Sequence, residues 1–130
     1  YSISKLVSRH SCVAHGIHIG ENVFIYEHAI VQAYAQLGFN VTIRAGANIG
    51  HHTRIGNHTF IASSVATGGN VTIGERCFIG LGAVLRDGVR IGDRCFIGAG
   101  AVVVSDTEPD SVYVGNPGRK LAKSSLEAAS

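Results

Sequence analysis

The sequence predicts an all-β fold, a parallel β-helix with a three-sided coil made of six-residue repeats, followed by a short capping segment. Three observations predict it. An aliphatic residue recurs at every sixth position from Val7 to Val103, sixteen times in seventeen, with Thr67 as the exception. Four places after each of these stands a small or β-branched residue, in a series that includes Ser11, Ile17, Ala47, Thr53, Thr59, Cys77 and Thr107. No residue is inserted or lost across that whole span.

A period of six fits neither the 3.6 residues of a helical turn nor an uninterrupted strand, but it fits a short strand plus a turn. Each hexad is then one side of a coil. Three sides bring residues eighteen apart into stacking distance, about 4.8 Å, and nearly six coils span on the order of 27 Å. Corners are written into two positions of the hexad. The second is glycine in nine of seventeen hexads and the fourth is largely Asn, His or Gly, residue types that accept the positive φ of a tight corner.

The β-helix is expected over residues 1–107. After it, "SDTEPDSVYVGNPGRKLAKSSLEAAS" breaks the period. Pro109 marks a turn, "LAKSSLEAAS" is expected as a short helix, and residues 108–130 are expected to cap the raw end of the coil stack. The first coil has no such cap, which fits an upstream domain or partner contacts. The chain also lacks methionine, so it is expected to begin after its natural start.

Composition narrows the function classes. The chain has 130 residues, 45% hydrophobic and 15% charged, which predicts one globular domain. A net charge of +2 without clustered Lys/Arg and interleaved aromatics argues against nucleic acid. No apolar run approaches the roughly 20 residues of a membrane span and no leader opens the chain, so a soluble cytoplasmic protein is expected. Three cysteines without CxxC spacing do not make a disulfide framework.

"NIGHHTRIGNH", residues 48 to 58, holds three histidines and raises the question of a metal. A three-histidine zinc site needs imidazoles converging on one point with an open fourth position. His51 and His52 share one corner and His58 falls at the next, so they do not converge within one chain. No metal is expected. A solvated corner is the expectation for His10, His18 and His28, and also for His15 and His58. The column at eighteen-residue spacing through His51 is different. It reads His15, Ala33, His51, Gly69, Asp87, and sets a bare glycine beside the imidazole. The neighbouring column, Tyr34, His52, Asn70, offers hydrogen-bond partners.

"IGENVFI", "IGERCFIGLGAVL" and "IGDRCFIGAGAVV" resemble the hexapeptide-repeat acyltransferases, over residues 13 to about 121. The resemblance implies a left-handed coil and a homotrimer. The metal spacing of the related β-helical carbonic anhydrases, one histidine followed by another five residues later, is absent, since Gly56 and Asn57 stand there. "NIGHHTRIGNHTFIASSVATGGNVTIG" resembles the sialic acid and amino-sugar acetyltransferase branch. That resemblance implies His51 as general base. His52 stands where those relatives commonly carry Asp or Glu, and either orients His51 or contacts the substrate. A backbone N–H beside Gly69 is expected to stabilise the oxyanion of the thioester. Thr67 lies along the path of the thioester arm or is a tolerated strand residue.

"VGNPGRK", residues 114 to 120, resembles the family segment that lies against the coenzyme A nucleotide, with Gly118 in place of alanine. The resemblance implies acetyl-CoA as acyl donor, bound by Asn116, Pro117, Arg119 and Lys120, with Gly69, Gly80, Gly98 and Ala99 near the pantetheine arm. The resemblance also implies a groove between subunits. A column of Phe24, Thr42, Phe60, Phe78 and Phe96 is expected at the trimer interface rather than as a substrate platform. Cys77 and Cys95 are expected as core fillers. The sequence thus implies an acetyl-CoA-dependent acetyltransferase acting on an amine or hydroxyl of a bacterial nucleotide-linked sugar. The competing reading is a metal-dependent or non-catalytic β-helix.

Overall fold

The computed structural model describes residues 5–126. The strands are mostly two residues long and sort by eighteen-residue steps into three parallel sheets, the faces of a triangular left-handed column. The first face carries Val23–Ile25, Thr42–Ile43, Phe60–Ile61, Phe78–Ile79 and Phe96–Ile97. Ile30–Val31, Asn48–Ile49, Ala66–Thr67, Val84–Leu85 and Val102–Val103 lie on the second, and Gln36–Leu37, Arg54–Ile55, Thr72–Ile73 and Arg90–Ile91 on the third. Register follows the repeat: Phe60 pairs with Phe78 and Phe78 with Phe96, while Thr72 lies between Arg54 and Arg90.

The aliphatic column fills the centre. Ile25, Leu37, Ile43, Ile49, Ile61 and Ile79 are fully buried, and each such side chain contributes roughly 1.5–3 kcal/mol of apolar burial. Between them lie the small residues, Ala29, Ala47 and Ala83 among others. Thr53 and Thr59 belong to that inner column as polar members. Each hydroxyl donates to a carbonyl of the next coil, Gly68 O at 3.3 Å and Gly74 O at 2.7 Å, so no buried polar atom is left unpaired there. The aliphatic side chains of the first coil, Val7, Val13 and Ile19, are only partly covered.

The corners correct one expectation. Positive φ falls at the fourth position of every hexad from Gly16 to Gly100, and Tyr34, Ser64, Arg76 and Arg94 adopt it as well as Asn, His and Gly. The second-position glycines do not use it. They are required by space: a Cβ on Gly50 would stand 2.2 Å from the carbonyl oxygen of Gly68, and one on Gly56 2.7 Å from that of Gly74. Glycine at the second position lets successive coils touch backbone to backbone.

The C-terminal end corrects another. Ser111–Val114 adds a further rung to the first face, with Phe96 opposite Val112, and Arg119–Ser124 folds back on it antiparallel. Leu121–Ser124 is therefore strand, not the start of the expected helix. Among the described residues helical backbone appears only at Ser125 and Leu126, and the rest of the expected helix lies outside them. The open edge of the first face offers hydrogen-bond partners to this segment, and a helix of ten residues is marginal without packing.

Candidate active site

His51 sits on the edge between the second and third faces, between strands Asn48–Ile49 and Arg54–Ile55. Its imidazole is laid over the backbone of the next coil. A Cβ on Gly69 would come within 2.3 Å of Nε2 and 2.5 Å of Cε1, so only glycine at 69 leaves room for the ring in this pose. His51 Nδ1 lies 3.1 Å from Nδ1 of His52, with the rings nearly perpendicular at 88°. One imidazole donates and the other accepts. This is the contact that an orienting His52 would make. The His52 ring is itself held, its centroid 5.2 Å from that of Tyr34.

Thr67 has a structural part that its position only hinted at. Its Oγ1 accepts the Gly50 N–H at 2.9 Å, where the equivalent Gly56 N–H donates to a backbone carbonyl, Ile73 O, at 2.8 Å. The ladder between Asn48–Ile49 and Ala66–Thr67 accordingly keeps one pair, Ala66 with Asn48. The buried hydroxyl thus fixes the residue just before His51. Its signal in the sequence was being the sole polar member of the aliphatic column.

The expected oxyanion donor beside Gly69 is not free. Gly69 N–H donates to Asp87 Oδ1 at 2.8 Å, Gly68 N–H to Leu85 O at 2.9 Å and Asn70 N–H to His51 O at 2.8 Å. Capping of a corner N–H by a side chain one coil on recurs elsewhere: Phe39 N–H donates to Asn57 Oδ1 and Glu75 N–H to Asp93 Oδ1. His51 cannot be capped in this way, because the residue eighteen further on is Gly69. Its backbone N–H has no acceptor among the described residues.

The remaining cofactor candidates gather on a different edge. Gly80, Gly98 and Ala99 turn the chain from the first face to the second, and Gly80 packs against the Ala99 backbone, where an added Cβ would stand 2.7 Å from its nitrogen. The turn after Ser111–Val114 joins them: Val102 N–H donates to Gly115 O at 2.9 Å and Gly118 N–H to Val102 O at 2.7 Å, with a cis bond between Asn116 and Pro117. The second face separates this edge from His51 and Gly69, so one protomer does not bring the two sets together. Lys120 carries an ion pair. Its ammonium is ion-paired with Glu108, which lies well below the usual carboxylate range because of that hydrogen bond and charge. Arg119 makes no ion pair among the described residues.

Other side chains fall where the columns put them. Phe60, Phe78 and Phe96 form a stacked ladder with centroids 5.3 and 5.1 Å apart, half-exposed at Phe78. Cys77 and Cys95 are buried, and burial pushes the Cys77 thiol up to about 11. His58 Nδ1 lies 2.9 Å from Asn40 Nδ2 and its ring stands edge-on to Phe39. Among the described residues no three His, Cys, Asp or Glu side chains are grouped to hold a metal. A groove of about 430 Å³ runs along the third face by Arg54 and Phe39, clear of His51 and Gly69.

Residues 70–105 match the family profile described as bacterial transferase hexapeptide (six repeats). The matched residues lie within the left-handed β-helix. No curated protein matches it in sequence. Among solved structures, this chain is similar to PerB from Caulobacter crescentus in complex with CoA and GDP-perosamine. The TM-score is 0.92 at 30% identity, over 94% of this chain and 59% of that one. The acetyltransferase domain of PglB from Neisseria gonorrhoeae, in complex with acetyl coenzyme A, gives 0.89 at 30% identity, over 93% and 59%. AntD, an N-acyltransferase from Bacillus cereus in complex with dTDP and 3-hydroxybutyryl-CoA, shares the fold, with a TM-score of 0.88 at 19% identity over 97% and 83%. The chain thus spans 59% of the length of the first two.

Proposed function

We propose that this chain is the acyl-transfer part of an acetyl-CoA-dependent acetyltransferase whose acceptor is the amine of a nucleotide-linked sugar. The observation that carries the reading is the His51 imidazole seated on Gly69 and tied through Nδ1 to His52. For Nε2 to accept a proton, Nδ1 must carry one and donate it to His52 Nδ1, which places the His52 proton on its own Nε2. An imidazole titrates near neutrality and so can serve as base at cytoplasmic pH. The acceptor nitrogen attacks the thioester carbonyl carbon, its proton passes to His51 Nε2, the C–S bond breaks, and the proton leaves with the sulfur. The CoA and GDP-perosamine complex of PerB and the acetyl coenzyme A complex of PglB support this assignment.

The separation of the two edges supports a site shared between protomers. One protomer supplies His51, His52 and Gly69; a neighbour supplies Gly80, Gly98, Ala99, Asn116, Pro117 and Arg119 for the coenzyme. A homotrimer satisfies this, with the Phe60, Phe78, Phe96 ladder as a contact surface. Lys120 joins the coenzyme site only by leaving Glu108. Dependence on acetyl-CoA makes the cytoplasm the expected compartment.

The test is thiol release from acetyl-CoA by the full-length protein across a panel of nucleotide-linked amino sugars. His51→Ala should lower turnover by about 10²–10⁴-fold, the usual contribution of a general base. Unchanged turnover removes His51 from the chemistry. Thermal protection by zinc but not by coenzyme A would favour a metal-dependent β-helix instead.

A further inference from the structure

We propose that Asp87 selects for amine acceptors, its carboxylate receiving the ammonium group of the incoming sugar beside His51. The proposal rests on the acetyltransferase reading and names the feature that decides between an amine and a hydroxyl.

Asp87 and His51 flank the same glycine from successive coils. The carboxylate holds Gly69 through its N–H, with Oδ1 at 2.8 Å, while the imidazole covers the α-carbon, with Nε2 2.3 Å from where a Cβ would stand. A group bound against Gly69 therefore meets both. Asp87 is exposed, and only Oδ1 is occupied: the ion pairs among the described residues are Arg94–Asp110 and Lys120–Glu108. A carboxylate accepts up to about four hydrogen bonds, so most of its capacity remains unused.

The corner itself does not require the charge. Asn57 gives the Phe39 N–H the same cap at 3.0 Å through a neutral side-chain oxygen. A negative charge at 87 is thus surplus to the fold and stands at the mouth of the site. A sugar amine reaches the protein mostly protonated near neutral pH, and its ammonium makes charge-assisted bonds to a carboxylate, roughly twice as strong as the neutral bond a hydroxyl offers. The ammonium passes one proton to His51 Nε2, and the freed lone pair attacks the thioester carbon. The C–S bond breaks, the nitrogen's extra proton passes to the sulfur, which leaves as thiol, and His51 gives its proton up to solvent. Asp87 stays ionised throughout.

Asp87→Asn isolates the charge, because it keeps the oxygen that caps Gly69. The experiment uses the full-length protein, saturating acetyl-CoA, and GDP-, UDP- and dTDP-linked amino-deoxy sugars, each paired with the sugar that carries a hydroxyl in place of the amine. The expected result is a KM for the amine acceptor raised about tenfold, with KM for acetyl-CoA, melting temperature and use of the hydroxyl acceptor unchanged. Equal kinetics in the variant and the native protein overturn the role of Asp87 and leave the acetyltransferase reading standing. An equal loss on both acceptors also overturns it, because that is what a purely structural cap predicts. If the native protein turns over none of these acceptors, both readings fall together.

Discussion

Gly50→Ala tests whether direct backbone contact between coils, rather than corner conformation, is what demands glycine at the second position of the hexad. A Cβ on Gly50 would lie 2.2 Å from Gly68 O, 2.5 Å from Gly68 C and 2.8 Å from Gly69 N, all backbone atoms with no rotamer to change. Gly50 does not have positive φ, so the whole penalty is steric. Restoring ordinary contact means parting the two coils at this corner. Overpacking of this kind costs about 1–3 kcal/mol, and stretching the Gly50 N–H bond to Thr67 Oγ1 adds about 1 kcal/mol. A loss of about 2–4 kcal/mol lowers the melting temperature by about 8–15 °C in a domain of this size. Gly82 is the control. It has φ +68 and nothing within 4 Å of an added Cβ, so its requirement is conformational. Gly82→Asn should therefore be nearly neutral, since Asn22, Asn40 and Asn70 take the same conformation, whereas Gly50→Asn gains no such relief. Thermal melts of the variants decide it. A Gly50→Ala melt within 2 °C of the native protein, or a Gly82→Asn variant as damaged as Gly50→Ala, would refute the argument, by the scale of about 4 °C per kcal/mol.

Gly69→Ala should behave in the opposite way, because its Cβ meets the end of a side chain that can swing aside: stability changes by no more than about 1 kcal/mol while acetyl transfer falls at least about a hundredfold, as melts and thiol-release assays on one preparation would show. Phe78→Asp places a charge in the middle of the aromatic ladder; if the native protein sediments as the proposed trimer, the variant is expected as monomers in analytical ultracentrifugation, and an intact trimer would put the subunit contact elsewhere. Burial raises the Cys77 thiol from 9.0 to about 11, so its contribution to stability is full below pH 9 and is lost as pH rises through 11. Urea melts at pH 8 and pH 10.5 should therefore differ less in Cys77→Val than in the native chain, and iodoacetamide at pH 8 should label exposed Cys12 before Cys77.

The coil was legible because a six-residue period leaves little choice of backbone, and the eighteen-residue columns then paired His51 with Gly69 by arithmetic alone. What glycine was for at each corner was not legible. Composition marks Gly50 and Gly82 alike, and only the approach of the neighbouring backbone separates them. Tyr34 and Arg76 at positive φ were equally hidden, because the strands on either side of the corner impose that conformation on whatever residue stands there. Leu121–Ser124 went to strand because an edge left open by a distant segment outweighed local helix preference. At the site, the side-chain bonds were beyond reach of pattern. The tie between His51 and His52, the capture of the Gly69 N–H by Asp87 and the pairing of Lys120 with Glu108 depend on rotamers, which spacing does not encode.

Backbone contact between adjacent coils makes the molecule intolerant of small changes in length and indifferent to large ones of the right size. One residue fewer between 51 and 69 would turn all later corners out of phase, and Asn70 would arrive beneath the imidazole. Eighteen extra residues downstream of Asp87 would insert a complete storey and leave the contacts among His51, Gly69 and Asp87 as they were. Growth of this column is quantised in whole circuits, and lineages that lengthen it should differ from this chain by multiples of that unit.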